Sequence, residues 1–180
     1  RENMNNLYVF ARREFRLASA PPKQARILIT ASSLYKLYVN GHYVGRGPNP
    51  TDPSRYYYDG HDVSALLRKG ANVIAVEAYN YGDTSKTALK QNWGPGGLLL
   101  ELRAFGKGRP ADGAPILATD SSWRLLQAPT WDSSAPVNCT LLGDYKEIYD
   151  SRLEIQGWKE VGFDDRAWEK PRVLGRPPVA

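Results

Sequence analysis

Aromatic and amide side chains are concentrated in one part of this sequence, between two segments of strand character. Tyr79-Asn80-Tyr81-Gly82-Asp83 and Gln91-Asn92-Trp93-Gly94 both lie there. A sugar ring has an apolar face and a hydroxyl edge, so a site for one combines an aromatic plate with amide, carboxylate or guanidinium groups. The pattern predicts a carbohydrate site with these candidate residues: Arg46, Asn49, Asp52, Asn80, Tyr81, Asp83, Asn92 and Trp93.

The same residues also allow a plainer interpretation. Trp93 and Tyr81 could simply pack beneath a long polar loop over residues 80–97. The Arg46–Asp52 loop contributes to a site only if the fold brings both loops to the same end of the molecule. Replacing Trp93 with alanine separates the two interpretations, since a sugar site predicts an intact fold without binding.

Acidic residues give little support for catalysis by this chain. Asp164 and Asp165 are adjacent, so their side chains diverge on a regular element. Inverting glycosidases instead hold their acid and base about 6.5–9.5 Å apart. The remaining loop acids are interpreted as turn and cap residues: Asp52, Asp59, Asp62 and Asp83. We therefore assign no catalytic residue.

Cysteine and histidine are equally scarce. Cys139 is the single cysteine, and His42 and His61 are the only histidines. This inventory excludes an internal disulfide and a zinc site built from several thiolates. Neither histidine falls in a recognisable nucleophile motif, and no glycine-rich phosphate loop is present. No metal site is predicted.

Composition indicates an ordinary globular domain. The chain has 180 residues, of which 42% are hydrophobic, and its net charge is +5. Residues 1–46 contain eight Lys or Arg and two acidic residues, but no run of five like charges occurs. A mixed solvated surface is therefore favoured over nucleic-acid binding.

Membrane and targeting signals are also missing from the sequence as given. No stretch approaches the roughly 20 apolar residues of a membrane span, so no membrane partner is predicted. The start at Arg1, without an initiator methionine or an apolar signal core, suggests a piece of a longer protein. The sequence does not indicate a compartment.

Short strands separated by turn residues predict an all-β, antiparallel β-sandwich. The 16 glycines and 13 prolines of the chain supply these turn residues. Asn40-Gly41 between two apolar runs predicts a hairpin over residues 34–45, since both turn positions need positive φ. Residues 56–59 are expected to form a strand, and Asp62–Gly70 a helical turn capped by Asp62.

The chain divides into two predicted parts. Residues 7–140 form the sandwich, and residues 141–180 form a short irregular C-terminal arm that packs on it. Asp164 or Asp165 is expected to cap a turn that brings Trp168 inward.

Three blocks carry a resemblance to a known family. Leu37–Pro48, Tyr57-Tyr58-Asp59 and Asp62–Val76 together resemble the N-terminal β-sandwich of bacterial α-L-rhamnosidases, in glycoside hydrolase family 78. Jelly-roll, galactose-binding-like domains of β-galactosidases and β-glucuronidases share part of this pattern. The combination of Gly45-Arg46-Gly47-Pro48 with Tyr149-Asp150-Ser151-Arg152 points to rhamnosidases.

The resemblance implies a non-catalytic accessory domain. In that family the acid and base carboxylates lie in a downstream helical barrel, so the partner would be the remainder of a parent glycosidase, with carbohydrate contact as a further expectation. The alternatives are an autonomous carbohydrate-binding module for rhamnose-containing glycans, an accessory domain of a β-galactosidase-like or β-glucuronidase-like hydrolase, and a self-sufficient hydrolase.

Calcium is the one ion that the resemblance suggests as a ligand. Some related modules bind rhamnose through calcium, which favours clustered carboxylate and amide oxygens. This chain has no adjacent Asp-Asn pair. No cofactor is therefore predicted, although separate loops could still assemble a calcium site.

Overall fold

The structure, a computed structural model, describes residues 5–50, 57–82, 96–106, 109–110, 115–137 and 145–175. Strands dominate this part of the chain, with two short 3₁₀ turns at Ser64–Leu66 and Ser151–Leu153. The strands are β1 (Leu7–Leu17), β2 (Ala25–Ala31), β3 (Leu34–Val39), β4 (His42–Gly47), β5 (Asp59–Asp62), β6 (Gly70–Asn80), β7 (Leu98–Gly106), β8 (Arg109–Pro110), β9 (Leu117–Ala118) and β10 (Arg124–Gln127).

Two antiparallel sheets form the sandwich. Within the described residues the first sheet has the order β10-β1-β6-β3-β4, and the second has the order β5-β2-β7-β8 with β9 also paired to β7. The main core lies between them, where Ile27, Ile74 and Leu100 are fully buried. The predicted all-β sandwich is confirmed.

Part of the first sheet is buried on both of its faces. Along β1, Ala11 faces the second sheet, whereas Phe10 faces outward, as alternation along a strand requires. Trp158 and Trp168 cover that outer face, and they are 2% and 6% exposed. This double coverage explains the uninterrupted apolar run 73–76 in β6.

The hairpin between β3 and β4 confirms the prediction from Asn40-Gly41. Both residues have positive φ, 50° and 83°. The Asn40 side chain also ties the turn to the rest of the fold, because its Oδ1 accepts the Val73 amide at 2.8 Å and its Nδ2 donates to the Leu66 carbonyl at 2.8 Å.

Two local predictions need adjustment. The strand expected at residues 56–59 is β5, Asp59–Asp62, because pairing with β2 places His61 opposite Ile27. The expected helical turn shortens to a single 3₁₀ turn, since Val63 before it and Leu67 after it both enter the core. Asp62 still accepts the Ser64 amide at 3.0 Å.

Residues 157–168 of the C-terminal arm pack on the outer face of the first sheet. Trp158 stacks on Phe10 with ring centroids 4.3 Å apart, and Phe163 contacts Trp168 edge-on at 5.6 Å. The two adjacent acids have different roles: Asp164 accepts the amide of Arg166 within its own turn, whereas Asp165 pairs with Arg12.

The boundary predicted between residues 140 and 141 lies outside the described residues, as does Cys139, so the two-part division stays a prediction. The described residues contain no helix with the length and apolar character needed to cross a bilayer.

Candidate functional site

A groove of about 1060 Å³ runs over the part of the first sheet that residues 157–168 leave uncovered. Strands β1, β3, β4 and β6 contribute to its floor, and residues 145–148 form the opposite wall. Its polar and aromatic lining comprises Tyr8, Tyr35, Lys36, Arg46, Asn49, Glu77, Tyr79, Tyr81, Trp131, Tyr145, Lys146 and Glu147.

Strand register places three charged side chains in a row across the floor. Lys36 of β3 lies opposite Arg46 of β4 on one side and Glu77 of β6 on the other. Residues directly opposite in neighbouring strands point to the same face, so all three point into the groove. Lys36 Nζ lies 3.0 Å from Glu77 Oε1.

Stacked aromatic rings form the other half of the floor. Tyr8 lies between Tyr79 and Trp131, with ring centroids 4.2 Å and 4.3 Å away. Tyr81 meets Tyr79 edge-on at 4.8 Å. The Lys36 ammonium lies 5.5 Å from the centre of the Trp131 ring, which joins the charged row to the aromatic rings.

Burial controls the protonation of two phenols on the outer face of the first sheet, Tyr8 in the groove and Tyr38 beside it. It raises the pKa of Tyr8 well above the usual range, and the nearby Glu147 and Glu77 carboxylates raise it further. Burial, together with Glu77, raises the pKa of Tyr38 to about 12. Both hydroxyls therefore stay protonated at neutral pH, as hydrogen-bond donors require.

The wall of the groove is attached to the sheet through backbone pairing. Trp131 forms an isolated antiparallel bridge with Tyr149. The Asp132 amide donates to the Ile148 carbonyl at 3.0 Å, and the Asp150 amide donates to the Thr130 carbonyl at 2.8 Å. The groove is thus built from segments that lie far apart in the sequence.

A second polar cluster joins the two sheets below the groove. The Tyr35 hydroxyl of β3 donates to Asp59 Oδ2 at 2.5 Å and lies 2.9 Å from His61 Nε2, both on β5. Burial raises the pKa of Tyr35, and the hydrogen bond to Asp59 adds to that increase. Burial lowers the pKa of His61, against the opposing effect of Asp59.

The lowered pKa of His61 predicts that the folded chain loses stability in acid. Below about pH 6.5 the unfolded chain binds a proton at this histidine more readily than the folded chain does. The free energy of unfolding therefore falls as pH drops below that value. In urea titrations from pH 7.5 to pH 5, His61→Gln should show a weaker pH dependence than the unaltered chain.

The exposed His42 provides the matched control for that experiment. His42→Gln should follow the unaltered chain at every pH. Equal pH slopes for His61→Gln and the unaltered chain would contradict the assignment.

Comparison with known proteins identifies the family. The family model that describes the α-L-rhamnosidase N-terminal domain matches residues 20–179 of this sequence. The chain belongs to this family. It is 36% identical to an α-L-rhamnosidase from Streptomyces avermitilis in a 167-residue alignment that covers 87% of this chain and 15% of the relative. The chain therefore spans about a seventh of that curated relative's length.

Solved rhamnosidase structures share the fold of this N-terminal domain. The family 78 rhamnosidase of Bacillus sp. GL1 superposes with a TM-score of 0.79 at 31% identity, covering 97% of this chain and 17% of that one. The Streptomyces avermitilis α-L-rhamnosidase complexed with L-rhamnose gives 0.67 at 27% identity, covering 93% and 16%. The predicted resemblance to family 78 is confirmed.

The candidate sugar-binding residues of this rhamnosidase domain do not all lie in the groove. Arg46, Asn49 and Tyr81 all line the groove. Asn80 does not: it is 6% exposed, and its Oδ1 accepts the Ser33 hydroxyl at 3.5 Å. The other four candidates lie outside the described residues: Asp52, Asp83, Asn92 and Trp93. Sugar contact by any of the eight stays a prediction.

Several groove residues were missed by sequence reasoning. Tyr8, Tyr79, Lys36 and Glu77 occupy outward positions of β1, β6 and β3, and alternation along each strand could have found them. Trp131 carried no such signal, because it lies outside any strand and reaches the groove through the bridge to the arm.

The described residues contain no group of three or more His, Cys, Asp or Glu side chains arranged to hold a metal ion. Asp52 and Asp83, two candidate oxygen donors for calcium, lie outside that part of the chain. The described geometry therefore supplies no calcium site on which to build a mechanism.

Proposed function

We propose that this chain is a non-catalytic accessory domain of an α-L-rhamnosidase that contacts carbohydrate in the groove. The observation that carries the proposal is the three-ring platform of Tyr79, Tyr8 and Trp131 beside the Lys36–Glu77 pair. Family membership supports hydrolysis of terminal α-L-rhamnosyl residues by the whole protein.

The chemistry of the groove suits a sugar. The stacked Tyr79, Tyr8 and Trp131 rings cover one another's faces and offer apolar ring edges to a sugar, while the charged row offers donors and acceptors to its hydroxyl groups. Arg46 is exposed on the floor, where its guanidinium can donate to ring hydroxyls. Its volume of about 1060 Å³ lies just above the roughly 300–1,000 Å³ typical of small-molecule sites.

The part of the rhamnosidase that this chain matches supports a non-catalytic role. It matches the N-terminal domain of rhamnosidases and spans 15% of the curated relative from Streptomyces avermitilis. The family resemblance implies that the hydrolytic carboxylates belong to a separate helical barrel. Contact with that barrel is the second part of the accessory role that we propose.

An autonomous carbohydrate-binding module is the second candidate function. One observation favours it: aromatic rings and charged side chains of this domain lie together in one groove. Binding of rhamnose-containing glycans by the isolated chain would support this candidate, whereas binding that requires the parent enzyme would support the accessory role.

Replacing Tyr81 with alanine tests the groove directly. We expect about a 10-fold loss of affinity for a rhamnose-containing oligosaccharide, which corresponds to about 1.4 kcal/mol of lost ring contact. Isothermal titration of the chain, with and without calcium, measures it. L-rhamnose is the reference sugar because the Streptomyces avermitilis enzyme was crystallised with it.

Tyr57 offers a matched control, because it is 61% exposed and does not line the groove. Tyr57→Ala should bind like the unaltered chain. Equal affinities for Tyr81→Ala and Tyr57→Ala would place the contact elsewhere, and a flat titration of the folded, unaltered chain would contradict carbohydrate contact by the isolated domain.

A further inference from the structure

A smaller recess continues the groove beneath the arm. It has a volume of about 270 Å³ and shares Lys36, Glu77 and Trp131 with the groove. Its own lining comes from Phe10, Tyr38, Tyr149, Glu154, Trp158 and Lys159. The two cavities therefore meet at the Lys36–Glu77 pair.

The recess repeats the composition of the groove. Tyr38 meets Trp158 edge-on at 6.2 Å, and Tyr149 meets Trp131 at 4.8 Å, so the walls are aromatic. Lys159 Nζ lies 4.5 Å from the centre of the Tyr38 ring and supplies a cation at this aromatic wall. Ring surfaces beside charged donors and acceptors thus occur on both sides of Trp131.

We infer that groove and recess form one extended site, and that the ligand is an oligosaccharide of at least two units rather than a single sugar. This inference rests on the proposed function. One unit lies in the recess against Tyr38 and Tyr149, and the next crosses Trp131 into the groove. The Lys36 and Glu77 side chains contact the linkage between them.

The volumes support a ligand of this length. The recess lies just below the roughly 300 Å³ at which small-molecule pockets begin, so it suits one ring. The groove is about four times larger, and a single ring would leave most of it filled with water. A monosaccharide can use only one of the two aromatic surfaces.

Titration with ligands of increasing length tests the inference. The probes are L-rhamnose and rhamnose-containing di-, tri- and tetrasaccharides, each titrated into the chain. Affinity should rise by at least about 10-fold from the monosaccharide to the longest probe. Lys159→Met keeps the aliphatic stem over the rings and removes the charge, so it should weaken only the longer probes, by about 5-fold.

The exposed Lys170 lines neither cavity, and Lys170→Met is the matched control. Equal affinity for all lengths, or the same affinities for Lys159→Met and Lys170→Met, would overturn the extended site while leaving carbohydrate contact intact. Binding of none of the probes would overturn the proposed function itself, and the extended site with it.

Discussion

Replacing Arg12 with alanine is expected to lower the free energy of unfolding by about 3–5 kcal/mol, the range for breaking a buried ion pair. Arg12 is 1% exposed, and its side chain is ringed by the C-terminal arm. Nε donates to the Trp158 carbonyl at 3.0 Å, and Nη2 donates to the Glu160 carbonyl at 3.0 Å. Nη1 pairs with the Asp165 carboxylate.

The size of this effect follows from what the truncation leaves behind. Without the guanidinium, the partly exposed Asp165 carboxylate and the Trp158 and Glu160 carbonyls lose the partner that the buried Arg12 provides. Equilibrium urea denaturation, followed by tryptophan fluorescence, measures the loss. Trp158 and Trp168 both report on the arm, so their emission should shift at lower urea concentration in the variant.

Arg166 provides a matched control on the same arm. It pairs with Asp164 at 2.7 Å, but its side chain is 87% exposed. Arg166→Ala should leave the urea midpoint almost unchanged, because exposed ion pairs contribute little. Equal shifts for Arg12→Ala and Arg166→Ala would contradict the role assigned to the buried guanidinium.

Trp158→Ala carries the second large expected effect, a loss of about 3–5 kcal/mol, as found for truncation of buried aromatic side chains. The indole is 2% exposed and stacks on Phe10 at 4.3 Å. Its removal opens a cavity between β1 and the arm. Urea denaturation again gives the measurement, and Trp158→Phe should recover part of the loss.

Tyr58→Ala is the control for that experiment, since Tyr58 is 67% exposed. A surface truncation of this kind should change stability by less than about 0.5 kcal/mol. A loss in Trp158→Ala that is no larger than in Tyr58→Ala would mean that the arm does not pack on the sheet as described.

Local signals in the sequence were sufficient for much of the fold. The hairpin at Asn40-Gly41 was predicted because both turn residues need positive φ, a property of two adjacent positions. The sequence analysis predicted an arm that packs on the sandwich, but not which sheet face it covers. Arg12 is buried by residues about 150 positions later, and no local pattern records such a contact.

In the candidate site, too, local sequence signals predicted some residues, whereas long-range contacts placed others. Tyr81 was found because aromatic and amide residues cluster around it in the sequence. Asn80 was included for the same reason, although alternation along β6 turns it away from the side that carries Tyr79. The wall at residues 145–148 could not be found, because it depends on the long-range bridge between Trp131 and Tyr149.

A titration monitored by amide NMR tests most directly whether the groove contacts carbohydrate. The ¹⁵N-labelled chain would be titrated with a rhamnose-containing tetrasaccharide. We expect saturable shifts at Arg46, Asn49, Tyr81 and the indole of Trp131. A folded chain with no saturable shifts, or shifts confined to the outer face of the second sheet around Arg26, would contradict the proposed site.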